Sequence, residues 1–527
     1  MTRLIALLSG AALTATLATA SDADGTRWWA DVTALADDGL EGRNTGSAGH
    51  RKAVEYAIRQ FERAGLKPAG VDGFLQAVPF DGRTIVESQS SIELLRNGRA
   101  ERLTLGEDVV INLRVDPAGS LQAPLVFAGY GLTVPEMKFD DLAGLDLKGK
   151  IVVTFGGGPT HIPGNLRSHY GYATERGRFF EQAGIVGFIT IQNPRTSDIP
   201  WSRSSLARLQ EAMTAADQAL EDMKSVKLSA TVNAEHADKW LAGSGHSVKE
   251  LLALVDAGKP LPHFALPSSL KARVTVNRRK VESHNVVAMR PGSDPALRGE
   301  HVVLSAHLDH LGVAEPIDGD AIYNGAMDNA SGVASLLEVA RALAESTVET
   351  KRSLLFLLVT GEEKGLQGSR YFAAHPTVPV QSLVADVNVD MFLPLYPFRI
   401  LMVYGLNESN LGDTARAIGR VMKVEVQDDP EPVRNIFVRS DQYSFIRRGI
   451  PSVKVDVGYK KGSQEHQIEQ AWLKTRYHAP SDDLRQPVDL KAAADFNRAV
   501  TALVTEIANA PARPQWKRES FFRRFAK

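Results

Sequence analysis

Several histidine and carboxylate side chains stand in patterns that suit metal binding. His307 is followed two positions later by Asp309. A ligating imidazole commonly gives its second N–H to an acceptor that fixes its tautomer, so this pair suits a metal ligand and its supporting carboxylate. Taken alone, a histidine at a strand end is more often a hydrogen-bonded structural residue. Asp328 lies in a glycine-bounded loop, residues 324–332, that opens a predicted helix. A helix cap is an equally good interpretation of Asp328 taken alone.

Two adjacent carboxylates, Glu362 and Glu363, directly follow a strongly apolar segment. Such neighbours repel each other at the end of a core strand unless something positive receives them, so a functional role is favoured. Asp390 also follows an apolar run, and His478 lies in a late loop beside Tyr477. Each of these residues is a weak signal alone, and the combination is the stronger observation.

Together, two histidines and three acids meet the requirements of a two-metal hydrolytic site. Zinc accepts nitrogen and oxygen ligands, and a bridging carboxylate can hold two ions ~3.5 to 4 Å apart. The ion pair polarises a scissile carbonyl and lowers the pKa of bound water toward ~7. A carboxylate that is not a ligand must still move the proton from that water to the leaving amine, and adjacent glutamates can divide these tasks. The chain has no cysteine, so His, Asp and Glu must hold any metal.

The elements that must position these residues alternate between buried strands and amphipathic helices. Strand-like apolar runs occur at residues 285–289, 301–306, 354–360, 385–389, 400–404 and 452–457, with helical stretches at 332–344 and 411–421. This order predicts an α/β fold with a doubly wound, mainly parallel sheet and helices on both faces. Functional groups gather at the carboxyl ends of strands in such sheets, which is where the motif residues stand. Apolar spacing between residues 31 and 65 also predicts one surface helix.

A chain of 527 residues is long enough for two structured units. Residues 121–275 carry a small, β-rich α/β pattern of their own, so we expect an inserted domain within a main domain of residues 21–120 and 276–510. Residues 1–20 have the basic, apolar and small-residue regions of an export signal, which predicts a periplasmic or secreted protein. Their apolar stretch is shorter than the ~20 residues that span a bilayer, and no membrane span is expected.

The overall charge excludes some partners. Lysine and arginine total 61 against 62 aspartates and glutamates, so no global field favours nucleic acid. Residues 511–527 form a basic, aromatic tail that could contact an anionic envelope surface weakly; packing back onto the main domain is a competing interpretation. His161 and His169 flank a loop of the inserted segment and are interpreted as solvated.

At these motifs, and at residues 40–47, the sequence resembles the co-catalytic zinc aminopeptidases of the bacterial leucyl aminopeptidase type. Their superfamily includes glutamate carboxypeptidase and the transferrin receptor. The inserted segment resembles the protease-associated domain that many members carry, and the five motifs occur in family order. The resemblance implies two Zn²⁺ per chain, peptide or protein substrates, and release of amino-terminal amino acids.

The resemblance also implies a role for each motif residue. The implied zinc ligands are His307 and Asp390 for one ion, Glu363 and His478 for the other, and Asp328 as the bridge. The implied catalytic residues are Glu362 as general base and then acid, Asp309 as the group that orients His307, and Tyr477 as a donor to the tetrahedral oxyanion. A cis peptide bond between Asp328 and Asn329 is a further implication.

Two positions depart from the family pattern, and three other functions compete. Met327 stands where relatives often have an acid, and Gln442 where a histidine is frequent, so pocket shape is expected to differ. A carboxypeptidase or dipeptidase on the same fold would need cations to clamp a carboxylate, for which Arg434 and Arg439 are candidates. A non-catalytic receptor-like protein and a single-zinc glutaminyl cyclase are the other two alternatives.

Overall fold

The computed structural model describes residues 22–526, and the predicted export signal lies outside these residues. The described chain divides into two compact units. The first comprises the chain up to Pro79, Glu282–Pro430 and the chain from Arg439 on, and the second comprises Phe80–Val281 and Glu431–Val438.

α-Helices and strands alternate mainly after residue 300, whereas strands follow one another between residues 67 and 155 and between residues 263 and 323. The helices of residues 22–526 are α1 (Asp22–Leu35), α2 (Ala48–Arg63), α3 (Gly164–Gly171), α4 (Ala173–Ala183), α5 (Trp201–Ser204), α6 (Asp238–Leu241), α7 (Val248–Asp256), α8 (Ser331–Glu345), α9 (Gln367–Ala374), α10 (Leu411–Met422), α11 (Gln442–Ile446), α12 (Gln464–Thr475) and α13 (Leu490–Asn509). The strands are β1 (Lys67–Pro68), β2 (Leu75–Ile85), β3 (Ser91–Arg96), β4 (Arg99–Leu103), β5 (Val109–Ile111), β6 (Ser120–Ala128), β7 (Thr133–Val134), β8 (Phe139–Asp140), β9 (Ile151–Phe155), β10 (Gly187–Ile191), β11 (Ala212–Ala215), β12 (Ser229–Val232), β13 (His263–Arg273), β14 (Val276–Arg290), β15 (His301–His307), β16 (Gly312–Ile317), β17 (Asp320–Tyr323), β18 (Ser353–Val359), β19 (Leu383–Val389), β20 (Ile400–Tyr404), β21 (Glu425–Gln427) and β22 (Ser452–Val457).

The first unit is built on a mixed, mainly parallel sheet in the order β14-β18-β15-β19-β22-β20-β21. Strands β18, β15, β19 and β22 are parallel neighbours, whereas β14 and β20 pair antiparallel with β18 and β22. Every residue of β15, β18 and β19 is buried. Strands covered on both faces read as continuous apolar runs, which is why the α/β fold prediction from the sequence is confirmed.

Alternate residues of β18 show how both faces of this sheet are covered. Leu355 and Leu357 share a buried cluster with Phe372 of α9 and Phe445 of α11. Phe356 points to the opposite face, where its ring centroid lies 5.7 Å from that of Phe61 in α2. Because side chains alternate along a strand, helices on opposite faces bury the two sets separately.

The register of the central strands brings their carboxyl ends to one edge. His307, the last residue of β15, is paired with Val359, the last residue of β18. Ser305 is paired with Asn388, two residues before Asp390, on the other side of β15. Residues that follow these three strands therefore leave the sheet side by side.

The second unit has its own sheet, in the order β4-β3-β13-β6-β9-β10-β12-β5. Its boundaries differ from the expected 121–275, because residues 91–95 of β3 pair with β13 and so join this sheet. The unit consequently begins at Phe80, and the short segment Glu431–Val438 also belongs to it. No sequence periodicity marks either of those boundaries.

The single helix expected between residues 31 and 65 is wrong: α1 and α2 are two helices. Glu41, Gly42 and Arg43 between them adopt positive φ angles of 49°, 63° and 49°. A left-handed backbone stops a right-handed helix, and the turn carries Arg43 into the interior of the first unit.

The C-terminal tail packs within the first unit. The Trp516 indole N–H donates to the main-chain oxygen of Gly449 at 2.9 Å, and Phe522 is completely buried. Two of the tail's aromatic side chains are therefore engaged in packing. None of the helices in residues 22–526 has both the length and the apolar composition that crossing a membrane requires.

Candidate metal and catalytic site

Three buried side chains at the strand ends converge on one point. Nε2 of His307 lies 3.2 Å from Oδ1 of Asp328 and 3.2 Å from Oδ1 of Asp390. His307 ends β15, Asp390 follows β19, and Asp328 lies in the turn before α8. Their donor atoms form a group able to hold a metal ion.

A second convergence lies on the other side of Asp328. Nε2 of His478 is 3.3 Å from Oδ2 of Asp328 and 3.3 Å from Oε2 of Glu363. Asp328 thus presents one carboxylate oxygen to His307 and the other to His478. This is the arrangement that a bridging carboxylate requires.

The separations between donor atoms fit zinc. Zinc binds nitrogen and oxygen donors at about 2.0–2.2 Å, which places two corners of a tetrahedron about 3.3–3.6 Å apart. The separations of 3.2 Å around His307 and 3.3 Å around His478 are close to that edge length. With carboxylate and imidazole donors only, the residues present suit zinc in both positions.

The electrostatic field of the carboxylates favours positive charge at both positions. Burial acts to lower the pKa of His307, but its hydrogen bonds to Asp328 and Asp390 raise that pKa well above the usual value. The pKa of His478 rises to about 10 against the effect of burial, because Glu363 and Asp328 face it. A field that holds protons on imidazoles will also attract a metal cation, which then takes the place of the protons.

Glu362 lies beside these groups but belongs to neither of the two sets of metal donors found in residues 22–526. Burial raises its pKa well above the usual value, and Glu363 adds to the effect. Its backbone N–H donates to Oδ1 of Asp309 at 3.1 Å, and Oδ2 of Asp309 accepts from the Thr45 hydroxyl at 2.9 Å. The Glu362 carboxyl is therefore available for proton transfer, in a position that Asp309 secures.

The expected contact between His307 and the Asp309 carboxylate is wrong in detail. Nδ1 of His307 lies 3.0 Å from the main-chain oxygen of Asp309, which is the acceptor that orients the ring. The Asp309 carboxylate turns instead to Thr45 and the backbone of Glu362. Asp309 thus supports two functional groups, through different atoms.

Tyr477 packs against a candidate ligand. Its ring centroid lies 4.0 Å from that of His478, and burial raises the pKa of its hydroxyl well above the usual value. The hydroxyl therefore keeps its proton and can act as a hydrogen-bond donor. Gln442, in contrast, is buried in α11 and accepts from the Asn388 side chain at 2.8 Å.

Three residues outside the sequence prediction also shape the site. Asp482 accepts from the backbone N–H groups of Met327 and Asp328, each at 3.0 Å, and so fixes the turn that carries the bridge. The buried Arg43 guanidinium donates to main-chain oxygens of the surrounding loops. His310 is buried beside the carboxylates of Asp328 and Glu363. His310 stands three positions after His307, and Asp482 four positions after His478. This closeness in sequence to a predicted ligand is the signal that could have identified both as site residues.

The turn at Asp328 is also joined to the neighbouring strand end. The peptide bond between Asp328 and Asn329 is cis, as the resemblance implied. The Asn329 side chain donates to the main-chain oxygen of Val389 at 3.0 Å and accepts from the N–H of Met391 at 3.1 Å. Asn329 therefore links the backbone beside Asp328 to the backbone on both sides of Asp390.

The candidate cations of a carboxypeptidase differ in their surroundings. Arg434, in the second unit, lies 3.2 Å from Asp198 and 3.8 Å from Glu431. It is thus already neutralised by acids of its own unit. The interpretation of His169 as solvated is wrong, because this side chain is buried. Neither His161 nor His169 belongs to the metal-ligand groups found in the part of the chain that the structure describes.

Comparison with known proteins finds similarity to peptidases. Residues 285–504 match the model of Peptidase family M28. The chain is 28% identical over 272 residues to a probable leucine aminopeptidase 2 of Aspergillus fumigatus, covering 49% of each protein. It is 27% identical over 259 residues to a probable zinc metalloprotease of Pyrenophora tritici-repentis, covering 44% of this chain and 58% of the relative. The chain thus spans about half the length of the curated relatives it matches.

Solved structures that resemble nearly the whole chain include a bacterial aminopeptidase. The aminopeptidase from Aneurinibacillus sp. strain AM-1 superposes with a TM-score of 0.55 at 19% identity, covering 94% of this chain and 97% of that one. At this identity the likeness shows that the fold is shared.

Proposed function

We propose, from the match of residues 285–504 to the model of Peptidase family M28, that the chain is a two-zinc exopeptidase of that family, which releases amino-terminal amino acids from peptides or partly unfolded proteins. The observation that carries the proposal is the sharing of Asp328 between His307 and His478, one carboxylate oxygen to each. Glu362 beside them is the carboxyl left for proton transfer.

The proposed chemistry divides between the metal and the side chains. When bound, two zinc ions supply Lewis-acid polarisation of the scissile carbonyl and make water a better nucleophile at neutral pH. Glu362 takes the proton from the attacking water and passes it to the leaving nitrogen. Asp309 holds the backbone of Glu362 in place during both transfers. The Tyr477 hydroxyl donates to the carbonyl oxygen as negative charge develops on it.

The pairing of one candidate cation favours aminopeptidase over carboxypeptidase activity. A carboxypeptidase needs a cation to hold the C-terminal carboxylate, and Arg434 is paired with Asp198. Burial raises the pKa of the Tyr477 hydroxyl, and the charge of Arg439 acts on the same hydroxyl in the opposite direction, so the pairing argument removes Arg434 and not Arg439. The relative described as a probable leucine aminopeptidase supports the same choice.

The test compares two substrates on the zinc-loaded protein. We expect release of p-nitroaniline from an amino-acid p-nitroanilide with a free amino group, and no cleavage of an N-blocked dipeptide with a free carboxylate. Turnover of the blocked compound alone would reverse the assignment to a carboxypeptidase. Elemental analysis on the same sample should find two zinc ions per chain; a single tightly held ion would favour a cyclase-like site instead.

We also infer export, with the second unit acting as a protease-associated domain. The composition of residues 1–20 supports export. Expression of the full chain in a bacterium, followed by fractionation, should yield a periplasmic or secreted protein that begins near residue 21. Full-length protein retained in the cytoplasm would contradict this inference.

A further inference from the structure

His310 is a buried histidine whose environment the proposed roles leave unexplained. It is completely buried, and its Nε2 has no hydrogen-bond partner among the described residues. Its Nδ1 is within ion-pair distance of two carboxylates, 2.9 Å from Oε1 of Glu363 and 3.9 Å from Oδ2 of Asp328. An imidazole nitrogen that faces two carboxylates belongs to a set of nitrogen and oxygen donors that suits zinc.

The loops around His310 leave its ring little freedom. Its backbone N–H donates to the main-chain oxygen of Arg43 at 3.3 Å. A Cβ atom added to Gly325 would lie 2.5 Å from Cγ of His310, so this glycine leaves the space that the ring fills. The ring therefore packs against the turn that carries Asp328, and Nδ1 faces the carboxylates of Asp328 and Glu363.

We propose that His310 is a fourth protein ligand of the zinc ion that Asp328, Glu363 and His478 hold, an inference that rests on the proposed function. The donor atoms of His310, Asp328 and Glu363 all lie within 4.8 Å of one another. Glu363 presents Oε1 to His310 and Oε2 to His478, so the two imidazoles flank one carboxylate. Their ring centroids lie 5.9 Å apart and their planes are inclined by 69°.

This ligand makes the two metal positions unequal. The position at His307 has three protein donors among the described residues, from His307, Asp328 and Asp390. The position at His310 has four, which is the closed coordination typical of firmly held zinc, whereas three donors leave zinc an open position. Zinc should therefore load in two steps, first at His310 and then at the open, exchangeable position.

The decisive experiment compares the wild type with His310→Gln by zinc titration of the metal-free protein against a chromophoric chelator. The wild type should bind two zinc ions with different affinities. In His310→Gln the affinity for the tighter ion should fall by about 10- to 100-fold or more. A loss of about 10- to 100-fold is typical when a zinc site loses a group that supports a ligand. X-ray absorption of the fully loaded proteins should show three imidazoles for every two zinc ions in the wild type and two in the variant.

Two further measurements separate a ligand from a packing residue. His301→Gln is the matched control, because His301 is a buried histidine at the other end of the same strand. Its Nδ1 lies 2.9 Å from the Ser382 hydroxyl. The zinc titration of His301→Gln should equal that of the wild type. His310→Gln should lower the melting temperature of the zinc-loaded protein but not that of the metal-free protein.

The possible failures are distinguishable. Unchanged affinities and an unchanged imidazole count in His310→Gln would overturn this inference and leave the proposed function standing. An equal fall in the melting temperature of the metal-free protein would assign His310 to packing, which also overturns the inference. A wild type that binds no zinc would overturn the proposed function itself.

Discussion

Glu362 and Glu363 show how adjacent residues of one type acquire different chemistry. Burial raises the pKa of Glu362 well above the usual value. Burial acts on Glu363 in the same direction, but His478 and His310 reverse it and hold the pKa of Glu363 well below its usual range. Groups whose environments push their pKa values apart are those that divide acid–base tasks. Glu363 is thus suited to bind a cation, and Glu362 to carry a proton.

Replacement of Glu362 by glutamine should abolish proton transfer without removing a metal ligand. We expect kcat to fall by about 10²- to 10⁴-fold, the usual contribution of general acid–base catalysis, with zinc content unchanged. Steady-state hydrolysis of an amino-acid p-nitroanilide and elemental analysis of the same sample provide the measurement. Glu345→Gln, at the end of α8, is the control and should retain full activity. Wild-type rates in Glu362→Gln would remove Glu362 from the mechanism.

Asp386 should make stability depend on pH in the direction opposite to most acids. Burial raises its pKa well above the usual 3.8, and among residues 22–526 the donor found is the Ser305 hydroxyl, at 2.8 Å to Oδ1. Since its folded pKa exceeds its unfolded pKa, its contribution is fully present below 3.8 and is lost as pH rises toward the folded pKa. Asp386→Asn removes this loss, because the amide does not ionise.

Urea unfolding at several pH values tests this expectation. Asp386→Asn should match the wild type near pH 3.8 and become progressively more stable than the wild type toward neutral pH. The exposed Asp72, replaced by asparagine, should give no such trend. A stability difference that stays constant with pH would show that Asp386 ionises normally in the folded protein.

At the scale of secondary-structure elements, Arg43 joins loops and strand ends through hydrogen bonds. The buried guanidinium of Arg43 donates to main-chain oxygens of Leu35, Leu308, Asn324 and Gly325 at distances of 2.5–3.0 Å. Leu308 follows the His307 strand, and Gly325 precedes the Asp328 turn. Arg43 therefore holds together two segments that must present metal ligands to each other.

Arg43→Lys should loosen this junction, because one ammonium group cannot reproduce a planar fork of donors. We expect the free energy of unfolding to fall by about 1–3 kcal/mol for each carbonyl left without a donor, and zinc to bind more weakly. Urea unfolding and zinc titration measure the two effects. The control is Arg59→Lys, at a surface position paired with Glu55 at 3.9 Å. Unchanged zinc affinity together with lowered stability would show that Arg43 contributes to the stability of the fold and not to zinc binding.

At the scale of the whole molecule, the chain is two units with separate cores. The second unit packs its own buried cluster around residues such as Phe155 and Trp240. A cluster of the first unit surrounds Val303 and Leu357, on the strands that carry the site. Every candidate metal ligand lies in the first unit. Metal binding should consequently stabilise one unit directly.

Calorimetry with and without a chelator measures this asymmetry. Removal of zinc should lower the unfolding temperature of the first unit, because binding that occurs only in the folded state stabilises it by about 4 kcal/mol when free zinc is 1,000 times Kd. The transition of the second unit should not move. Restoring zinc, but not magnesium, should reverse the shift. Equal displacement of both transitions would show that the units unfold as one.

Sequence periodicity alone was enough to establish the α/β class and the strand ends at which the motif residues stand. The central strands are buried on both faces, so their apolar runs are continuous, and β20 and β22 begin and end at the residues expected. Parallel strands also bring their carboxyl ends to one edge, which is why His307 and Asp390 could be expected to meet.

Contacts between distant loops were decided only by the tertiary structure. The sequence does not show that Asp482 receives the backbone of Met327, that His310 lies between carboxylates, or that the Asp309 carboxylate turns away from His307. The start of the second unit at Phe80 likewise follows from strand pairing across more than 150 residues of chain. Periodicity reports which face of an element is buried, whereas partners far apart in the chain are chosen by the packing of the whole fold.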